Sequence, residues 1–277
     1  MKIDAHQHFW RFDPVDYPWI NEGVPVLMRD YQPEDLEPEL RRSGFDGCIA
    51  VQAREKIEES FSLLSLADHH PFIHGVVGWV DLQAETISRD LSTVAKHPKF
   101  VGVRAVLQDK ADDQLMLRPD FMRGITALQD FDLAYDLLIF PKHLKPAAEL
   151  VRRFPNQRFV LDHIAKPQIH DEDRSQWRDD LRSLSQAPNV YCKLSGLVTE
   201  AKARAWRQED FTPYLDDVWE AFGPDRLMFG SDWPVALLAG SYVEVVGIIH
   251  HYLATKSESD QRKVWGDNAA RFYRLNP

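Results

Sequence analysis

Two histidines stand one residue apart near the start of the chain, in the segment MKIDAHQHFW. His6 and His8 fall in a run that otherwise has the pattern of a β-strand, and residues i and i+2 of a strand point to the same face. Neutral imidazole is a common ligand for zinc and similar ions. The spacing therefore indicates two imidazoles side by side, although a His-x-His motif is weak support for a metal site when it stands alone.

Three further polar side chains occur near the ends of later strand-like runs. Arg104 lies in GVRAVL, His163 in LDHIAKP and Asp232 in FGSDWP. A buried imidazole or carboxylate is unfavourable unless it is paired or bound to a ligand. With His6 and His8, these residues predict a site for Zn²⁺ or a similar divalent ion. The alternative for Arg104 is a structural ion pair with Asp136 or another acid.

The polar residues named above must be positioned by secondary structure, and strand-like and helical patterns alternate along the chain. Short apolar runs rich in β-branched and aromatic residues predict eight strands, at 2–9, 47–53, 73–80, 100–107, 131–140, 158–165, 190–197 and 227–234. Amphipathic patterns between them predict helices. Strands spaced by roughly 25 to 40 residues are too far apart for hairpins and suit βα units.

The fold class predicted from this alternation is α/β, a (β/α)8 TIM barrel, in which the functional side chains lie at the C-terminal ends of the strands. The alternative is an open doubly wound sheet, but no glycine-rich phosphate-binding turn follows the first strand. Without a linker or a composition break, residues 1–277 are predicted to form a single domain. A long first βα loop of about residues 9–33, rich in Trp, Tyr and Pro, is expected to pack as a lid, and residues 241–273 are expected to form closing helices.

Composition excludes several classes of function. The 277 residues are 44% hydrophobic and carry 33 Lys and Arg against 43 Asp and Glu, a formal net charge of -10. We therefore expect no nucleic-acid partner and no anionic membrane surface. No run reaches the roughly 18 apolar residues of a membrane helix, no apolar signal region opens the chain, and its two cysteines form no disulfide framework. A cytoplasmic location is expected, and the oligomeric state is left open.

The motifs DAHQHFW, GVRAVLQ, LDHIAKP, KLSGL and FGSDWPV together resemble the amidohydrolase superfamily, and within it the sugar-lactonase branch, which includes L-fuconolactonase and L-rhamnonolactonase. The resemblance implies a TIM barrel of the amidohydrolase type and a hydrolase that opens a sugar lactone, as in L-fucose degradation. It implies that His6 and His8 are strand-one metal ligands, joined by His163 from strand six. Asp232 would handle the proton of the attacking water.

One departure from the family pattern concerns the metal. Two-metal members carry a bridging lysine on strand four or five, whereas here those strands offer Arg104 and Asp136. The resemblance therefore implies at most one divalent ion, Zn²⁺ or similar, contacting His6, His8, His163 and Asp232, and relatives in this branch are thought to work without it.

Hydrolysis of a lactone, a cyclic ester, needs an activated water, a stabilised oxyanion and a proton for the leaving alkoxide. Asp232 is the predicted general base; burial would raise its pKa, whereas a metal or Arg104 would oppose that rise. His163 and Arg104 would polarise the carbonyl if no metal does. Substrate contacts are predicted for Trp10, Gln52, Asp136, Lys166, His170 and Trp233.

The expected partner is a neutral, hydroxyl-rich sugar lactone, because the proposed site offers few cations for a polycarboxylate. Two alternatives remain open: another reaction on the same scaffold, such as metal-dependent decarboxylation or hydrolysis of a dicarboxylate lactone or an amide, and a non-catalytic sugar-binding protein. Asp4 and Asp162 adjoin ligand histidines, and strand alternation places them on the other face.

Overall fold

The structure, a computed structural model, describes residues 1–169 and 173–275. Eight parallel strands pair in the order of the sequence and form a nearly closed barrel, with helices between them, as predicted. The last gap is bridged beyond the end of the first strand, where the backbone N–H of Asp232 donates to His6 C=O at 2.8 Å and that of His8 to Trp233 C=O at 2.7 Å.

The strands are short, because each one only has to cross the barrel wall. They are β1 (Ile3–Gln7), β2 (Gly47–Val51), β3 (Ile73–Gly78), β4 (Phe100–Val106), β5 (Ala134–Leu138), β6 (Phe159–Leu161), β7 (Val190–Leu194) and β8 (Leu227–Phe229). Most of their residues are buried on both faces, which is why the sequence shows continuous apolar runs rather than alternation.

The helices form the outer layer and close the chain. They are α1 (Pro33–Arg42), α2 (Ile57–His69), α3 (Ile87–Val94), α4 (Pro119–Asp130), α5 (Leu144–Arg153), α6 (Ser175–Ser185), α7 (Gln208–Phe222), α8 (Tyr242–Leu253), α9 (Glu258–Arg262) and α10 (Asn268–Tyr273). Their starts follow local rules: Pro33 is the first residue of α1, and Ser241 caps α8 by accepting from the N–H of Glu244. No helix among the described residues is both long and apolar enough to cross a bilayer.

Each strand ends one to five residues before the predicted run does, and the difference is largest for the sixth and eighth strands. The sixth and eighth apolar runs continue to residues 165 and 234, but β6 stops at Leu161 and β8 at Phe229. After β6 the residues from His163 to Lys166 all have φ between 49° and 63°, and Asp232 has φ 58°. Left-handed backbone cannot continue a strand, so these motifs form turns at the barrel mouth.

The interior of the barrel has an apolar floor. Ile3, Ala5, Ile49, Val51, Val77, Val101, Ala134, Val160 and Met228 pack there against Ala269, Phe272 and Tyr273 of α10. The closing helix α10 therefore covers the end of the barrel opposite the predicted site, and we refer to this group as the lower cluster.

The first loop, residues 8–32, packs on the barrel mouth and on the β2–α2 connection. The indole N–H of Trp19 donates to Ala53 C=O at 2.9 Å, and the Tyr17 hydroxyl donates to the buried Glu59 carboxylate at 3.1 Å. Asp16 forms ion pairs with Arg54 and Lys56. These bonds fix the first loop against the connection between β2 and α2.

Candidate active site

A cavity of about 310 Å³ opens at the C-terminal ends of the strands. Of the residues predicted from the sequence, six line it: His8, Gln52, Arg104, His163, Lys166 and Asp232. This is the end of the barrel at which TIM-barrel enzymes carry out their chemistry. The cavity size is near the lower end of the range for small-molecule sites, about 300 to 1,000 Å³.

Asp232 is the centre of the site. Its Oδ1 lies 3.4 Å from Nε2 of His8 and 3.8 Å from Nε2 of both His6 and His163. All four side chains are at most 4% exposed. The structure thus brings together three imidazoles and one carboxylate that are up to 226 positions apart in the sequence.

The ring orientation of His8 is fixed by its other nitrogen. Nδ1 lies 2.8 Å from the Val51 carbonyl oxygen, which only accepts, so Nδ1 carries the hydrogen and Nε2 has a free lone pair. Nε2 and the ionised Asp232 Oδ1 are then two acceptors 3.4 Å apart in a buried setting. Such a pair is stabilised only when a donor, such as a water, or a cation lies between them.

His163 is positioned by the left-handed turn after β6. Its Nδ1 lies 2.9 Å from the Ser195 hydroxyl, beyond the end of β7. Gly196, at φ 64°, follows, and a Cβ there would come within 2.6 Å of the His163 ring. The KLSGL motif therefore supplies the hydroxyl that orients His163 and the glycine that makes room for it.

His6 reaches the barrel interior through an irregularity in β1. Asp4 pairs with Cys48 and Gln7 with Ala50, so three residue steps in β1 match two in β2. This bulge lets Ala5 pack in the lower cluster while the next side chain, His6, contacts the polar groups above it.

Arg104 is buried, and both terminal nitrogens of its guanidinium are engaged, whereas its Nε has no hydrogen-bond partner among the described residues. One terminal nitrogen, Nη1, lies 3.1 Å from His6 Nε2 and donates to Asp162 Oδ2 at 3.2 Å. The other, Nη2, donates to the backbone carbonyl and, at 3.2 Å, to the side-chain oxygen of Gln52. The ion pair weighed as the alternative for Arg104 is therefore present, and its acid is Asp162.

A buried charge network that the sequence analysis missed lies directly below His6. Lys193 of β7 is inaccessible to solvent, and its Nζ lies 2.5 Å from Asp136 Oδ2, 3.0 Å from Asp162 Oδ1 and 3.2 Å from His6 Nδ1. The Tyr273 hydroxyl donates to Asp136 from below. The sequence feature that could have indicated this network is the lysine inside the apolar strand VYCKL, because a buried ammonium needs acidic partners.

The expectation that Asp162 faces away from the site is wrong. Strand alternation does not apply to Asp162, because β6 ends at Leu161 and the chain turns. Its carboxylate contacts His6, Arg104 and Lys193 inside the barrel. Asp4 does face away, accepting from the Ser231 N–H and the Tyr242 hydroxyl.

Burial and neighbouring charges set the ionisation of the site. Burial lowers the pKa of His6, His8 and His163, so the three imidazoles are neutral at pH 7. Burial also acts to raise the pKa of Asp232, but the neighbouring His163, whose Nε2 faces it, and the charge of Lys166 outweigh burial, so the net pKa is lowered. Burial thus acts in the predicted direction, but the opposing interactions are larger, and Asp232 is ionised at pH 7.

Three side chains predicted to contact substrate lie away from the cavity. Trp10 is buried within the first loop, where its N–H donates to Arg29 C=O, and Trp233 packs against Phe9 and Tyr31. Asp136 lies below His6 with no exposed surface. Trp19 lines the cavity instead, at 40% exposure. His170 lies outside the described residues.

The donor set fits a divalent cation. Ligand atoms of His6, His8 and Asp232 lie within 4.8 Å of one another, and so do those of His6, Asp162 and His163. All are buried, and the unfavourable pair formed by His8 Nε2 and Asp232 Oδ1 is relieved by a cation between them. Nitrogen and oxygen donors of this kind suit Zn²⁺.

Comparison with known proteins gives a consistent result. The family model described as "Amidohydrolase" matches residues 3–275. The L-fucono-1,5-lactonase of Burkholderia multivorans is 42% identical over 286 residues, covering 99% of this chain and 96% of that protein. The L-fucono-1,5-lactonase of Burkholderia ambifaria is 40% identical over 285 residues, with the same two coverages.

A solved structure supports the same grouping. The crystal structure of a Burkholderia multivorans amidohydrolase with bound zinc superposes with a TM-score of 0.96 at 42% identity, covering 100% of both chains.

Proposed function

The chain belongs to the amidohydrolase family, and on that premise we propose that it hydrolyses a sugar lactone, of the L-fucono-1,5-lactone type, to the aldonic acid. The observation that carries the proposal is the carboxylate of Asp232, held within 3.8 Å of three imidazole nitrogens at the base of a small cavity. The similarity to two L-fucono-1,5-lactonases over nearly the full chain supports the substrate class.

Asp232 is the general base of this proposal. It is ionised at neutral pH, and it removes a proton from the water that attacks the lactone carbonyl carbon. The proton then passes from Asp232 to the ring oxygen as the carbon–oxygen bond breaks, so the product leaves as the open hydroxy acid. One carboxylate serves both steps.

The carbonyl oxygen needs a donor as it becomes negative. When the Ser195 hydroxyl donates to Nδ1 of His163, Nε2 of His163 carries a hydrogen that faces Asp232 and the cavity. A donor of this type lowers the barrier by about 3 to 4 kcal/mol. Arg104 adds positive charge beside the same cavity.

His6, His8 and Asp232 would hold a Zn²⁺ or similar ion, with His163 beside them. When bound, such an ion supplies Lewis-acid polarisation of the carbonyl oxygen.

The cavity wall fits a sugar ring with one apolar side. Gln52, Gln108, Asp109, Lys166, Thr199 and Glu200 present polar groups for hydroxyls, and Trp19, Val24, Val106, Leu138, Val235 and Leu238 form the apolar part. Among the described lining residues the cations are Arg104 and Lys166, and Arg104 is already paired with Asp162. A single-ring, uncharged lactone therefore fits this wall better than a polycarboxylate. A role in sugar breakdown and a location in the cytoplasm stay predictions.

The test is a panel of sugar 1,4- and 1,5-lactones, including those of L-fucose, L-rhamnose and their stereoisomers, followed by acid release in a weakly buffered indicator assay. We expect the highest kcat/KM on a 6-deoxyhexonolactone. Turnover of a carboxylic acid by decarboxylation, or of an amide, with no activity on any sugar lactone would overturn the proposal.

A further inference from the structure

His6 lies between two cations. The Arg104 Nη1 is 3.1 Å from its Nε2, and the Lys193 Nζ is 3.2 Å from its Nδ1. A neutral imidazole has one N–H and one lone-pair nitrogen, so it can accept a hydrogen bond from only one of these cations. The position of the hydrogen on His6 decides which cation is bound.

The neighbouring acceptors favour the hydrogen on Nδ1. Asp162 Oδ1 is 3.3 Å from Nδ1 and can accept from it, whereas Lys193 has Asp136 and Asp162 as its own partners at 2.5 Å and 3.0 Å. With the hydrogen on Nδ1, Nε2 accepts from Arg104. The opposite arrangement would place an Nε2–H against the guanidinium, whose hydrogens are fixed in its plane, whereas the Lys193 ammonium can rotate its three hydrogens toward Asp136 and Asp162.

We propose that Arg104 and a divalent cation compete for the Nε2 lone pair of His6. In the metal-free protein the guanidinium occupies the coordination position that His6 would offer an ion, since one lone pair cannot serve both. Two acceptors on Gln52 and one on Asp162 hold the guanidinium there, so an ion must displace an anchored group. Arg104 thereby sets the metal affinity of the site.

This inference goes beyond the proposed function and does not depend on which reaction the site performs. It accounts for a site that has a complete set of metal donors and also has its own positive charge in contact with one of them. The guanidinium partly balances the charge of Asp162 without an ion, so binding of metal becomes optional for the charge balance of the site.

The experiment measures the Zn²⁺ affinity of metal-free protein by competition with a chromophoric chelator. We expect Arg104→Gln to bind Zn²⁺ at least tenfold more tightly than the wild type. Lys166→Gln is the matched control, because Lys166 lines the same cavity and acts on Asp232 through its charge but, in the described part of the chain, does not bond to His6. We expect its Zn²⁺ affinity to change less than threefold.

Two results would overturn the proposal: no gain in affinity in folded Arg104→Gln, or an equal gain in both variants, which would indicate charge alone. Folding is checked by circular dichroism and thermal melting.

A second measurement uses the wild type and so does not depend on the variant folding. Nitrogen NMR of metal-free, ¹⁵N-histidine-labelled protein should show His6 with Nδ1 protonated and Nε2 unprotonated, the signal being assigned by its loss in His6→Asn. Added Zn²⁺ should shift that Nε2 resonance. A protonated Nε2 in the metal-free protein would show that Lys193, not Arg104, binds His6, and it would contradict the proposal. Neither readout involves lactone hydrolysis, so a failure here is distinct from a failure of the proposed function.

Discussion

The two halves of the barrel interior differ sharply in chemistry. The lower cluster is apolar and is covered by α10, whereas the layer directly above it holds Lys193, Asp136, Asp162, Arg104 and the imidazole of His6. Burial of apolar surface stabilises the fold by roughly 25 cal/mol per Å². Buried ion pairs contribute little net stability, because desolvation offsets their attraction. The lower half therefore stabilises the barrel, and the upper half orients the side chains of the site.

The two halves meet at one side chain of the closing helix. Tyr273 packs in the lower cluster, and its hydroxyl donates to Asp136 Oδ1 at 3.0 Å and Oδ2 at 2.8 Å. A helix at one end of the barrel is thus linked through Asp136 and Lys193 to His6 at the other. Substitutions in either half, and at this junction, test how far the separation holds.

The largest expected effect is on catalysis in the upper half. Asp232→Asn keeps the shape of the side chain but removes the general base, so kcat/KM on a sugar lactone should fall about 10³-fold. The melting temperature should change by only a few degrees. Initial rates and thermal melts measure both quantities. Asp109→Asn is the control, because Asp109 lines the cavity but is exposed; an equal loss in the control, or near-normal activity in Asp232→Asn, would contradict the assignment.

The lower cluster should show the opposite behaviour. Ile49 is fully buried there, and Ile49→Ala should lower the free energy of unfolding by about 3 to 4 kcal/mol through lost burial and a cavity. Ile49→Val should lower it by about 1 kcal/mol. Urea denaturation gives both values, and kcat of the folded fraction should stay close to that of the wild type. A large loss of kcat in Ile49→Val would show that the two halves are not separable.

A pH effect is expected from outside the barrel interior, at Glu59 of α2. Burial raises the pKa of this carboxyl from 4.5 to about 7, against the N–H groups of Ala53 and Arg54 and the Tyr17 hydroxyl, which lower it. Between pH 4.5 and 7 the folded state therefore binds more protons than the unfolded state at this residue. Its contribution to stability is greatest at the acid end of that window and is lost as the pH rises through about 7, with a span of no more than about 3 kcal/mol.

Glu59→Gln removes this titration while keeping an amide in the same place. Urea midpoints at a series of pH values should fall less steeply with rising pH in the variant than in the wild type. Identical slopes would assign the pH dependence to other groups, such as Asp4, whose pKa burial raises to about 6.

The smallest expected effect is at the junction. Tyr273→Phe removes the donor to the buried Asp136 carboxylate and should cost about 1 to 2 kcal/mol of unfolding free energy, with kcat reduced by only a few-fold. Tyr135→Phe is the matched control, because Tyr135 is equally buried and its hydroxyl has no hydrogen-bond partner among the described residues. Removal of the Tyr135 hydroxyl should leave the free energy of unfolding unchanged or raise it. An equal decrease in both variants would contradict a specific role for the Tyr273 hydroxyl.

Much of the fold followed from local pattern. The eight apolar runs, the helices between them and the long aromatic loop predicted a barrel with the correct element order, because continuous apolar runs alternating with amphipathic segments are compatible with few other arrangements. The ends of β6 and β8 were predicted too far along. Residues such as Ile164 and Trp233 are typical of strands, and nothing local indicates that four consecutive non-glycine residues adopt positive φ.

The sequence by itself determined the barrel and the identity of the polar side chains at its mouth, since hydrophobic patterns and residue types are local properties. Only the tertiary structure decided which of these side chains meet at the site, and it did so through three features. The bulge in β1 placed His6 inside, the turn after β6 brought in Asp162, and the first loop put Trp19 rather than Trp10 against the site. Lys193 is the clearest case. The sequence of β7 shows that the strand carries a lysine, but the two carboxylates that make its burial possible come from β5 and from the turn after β6.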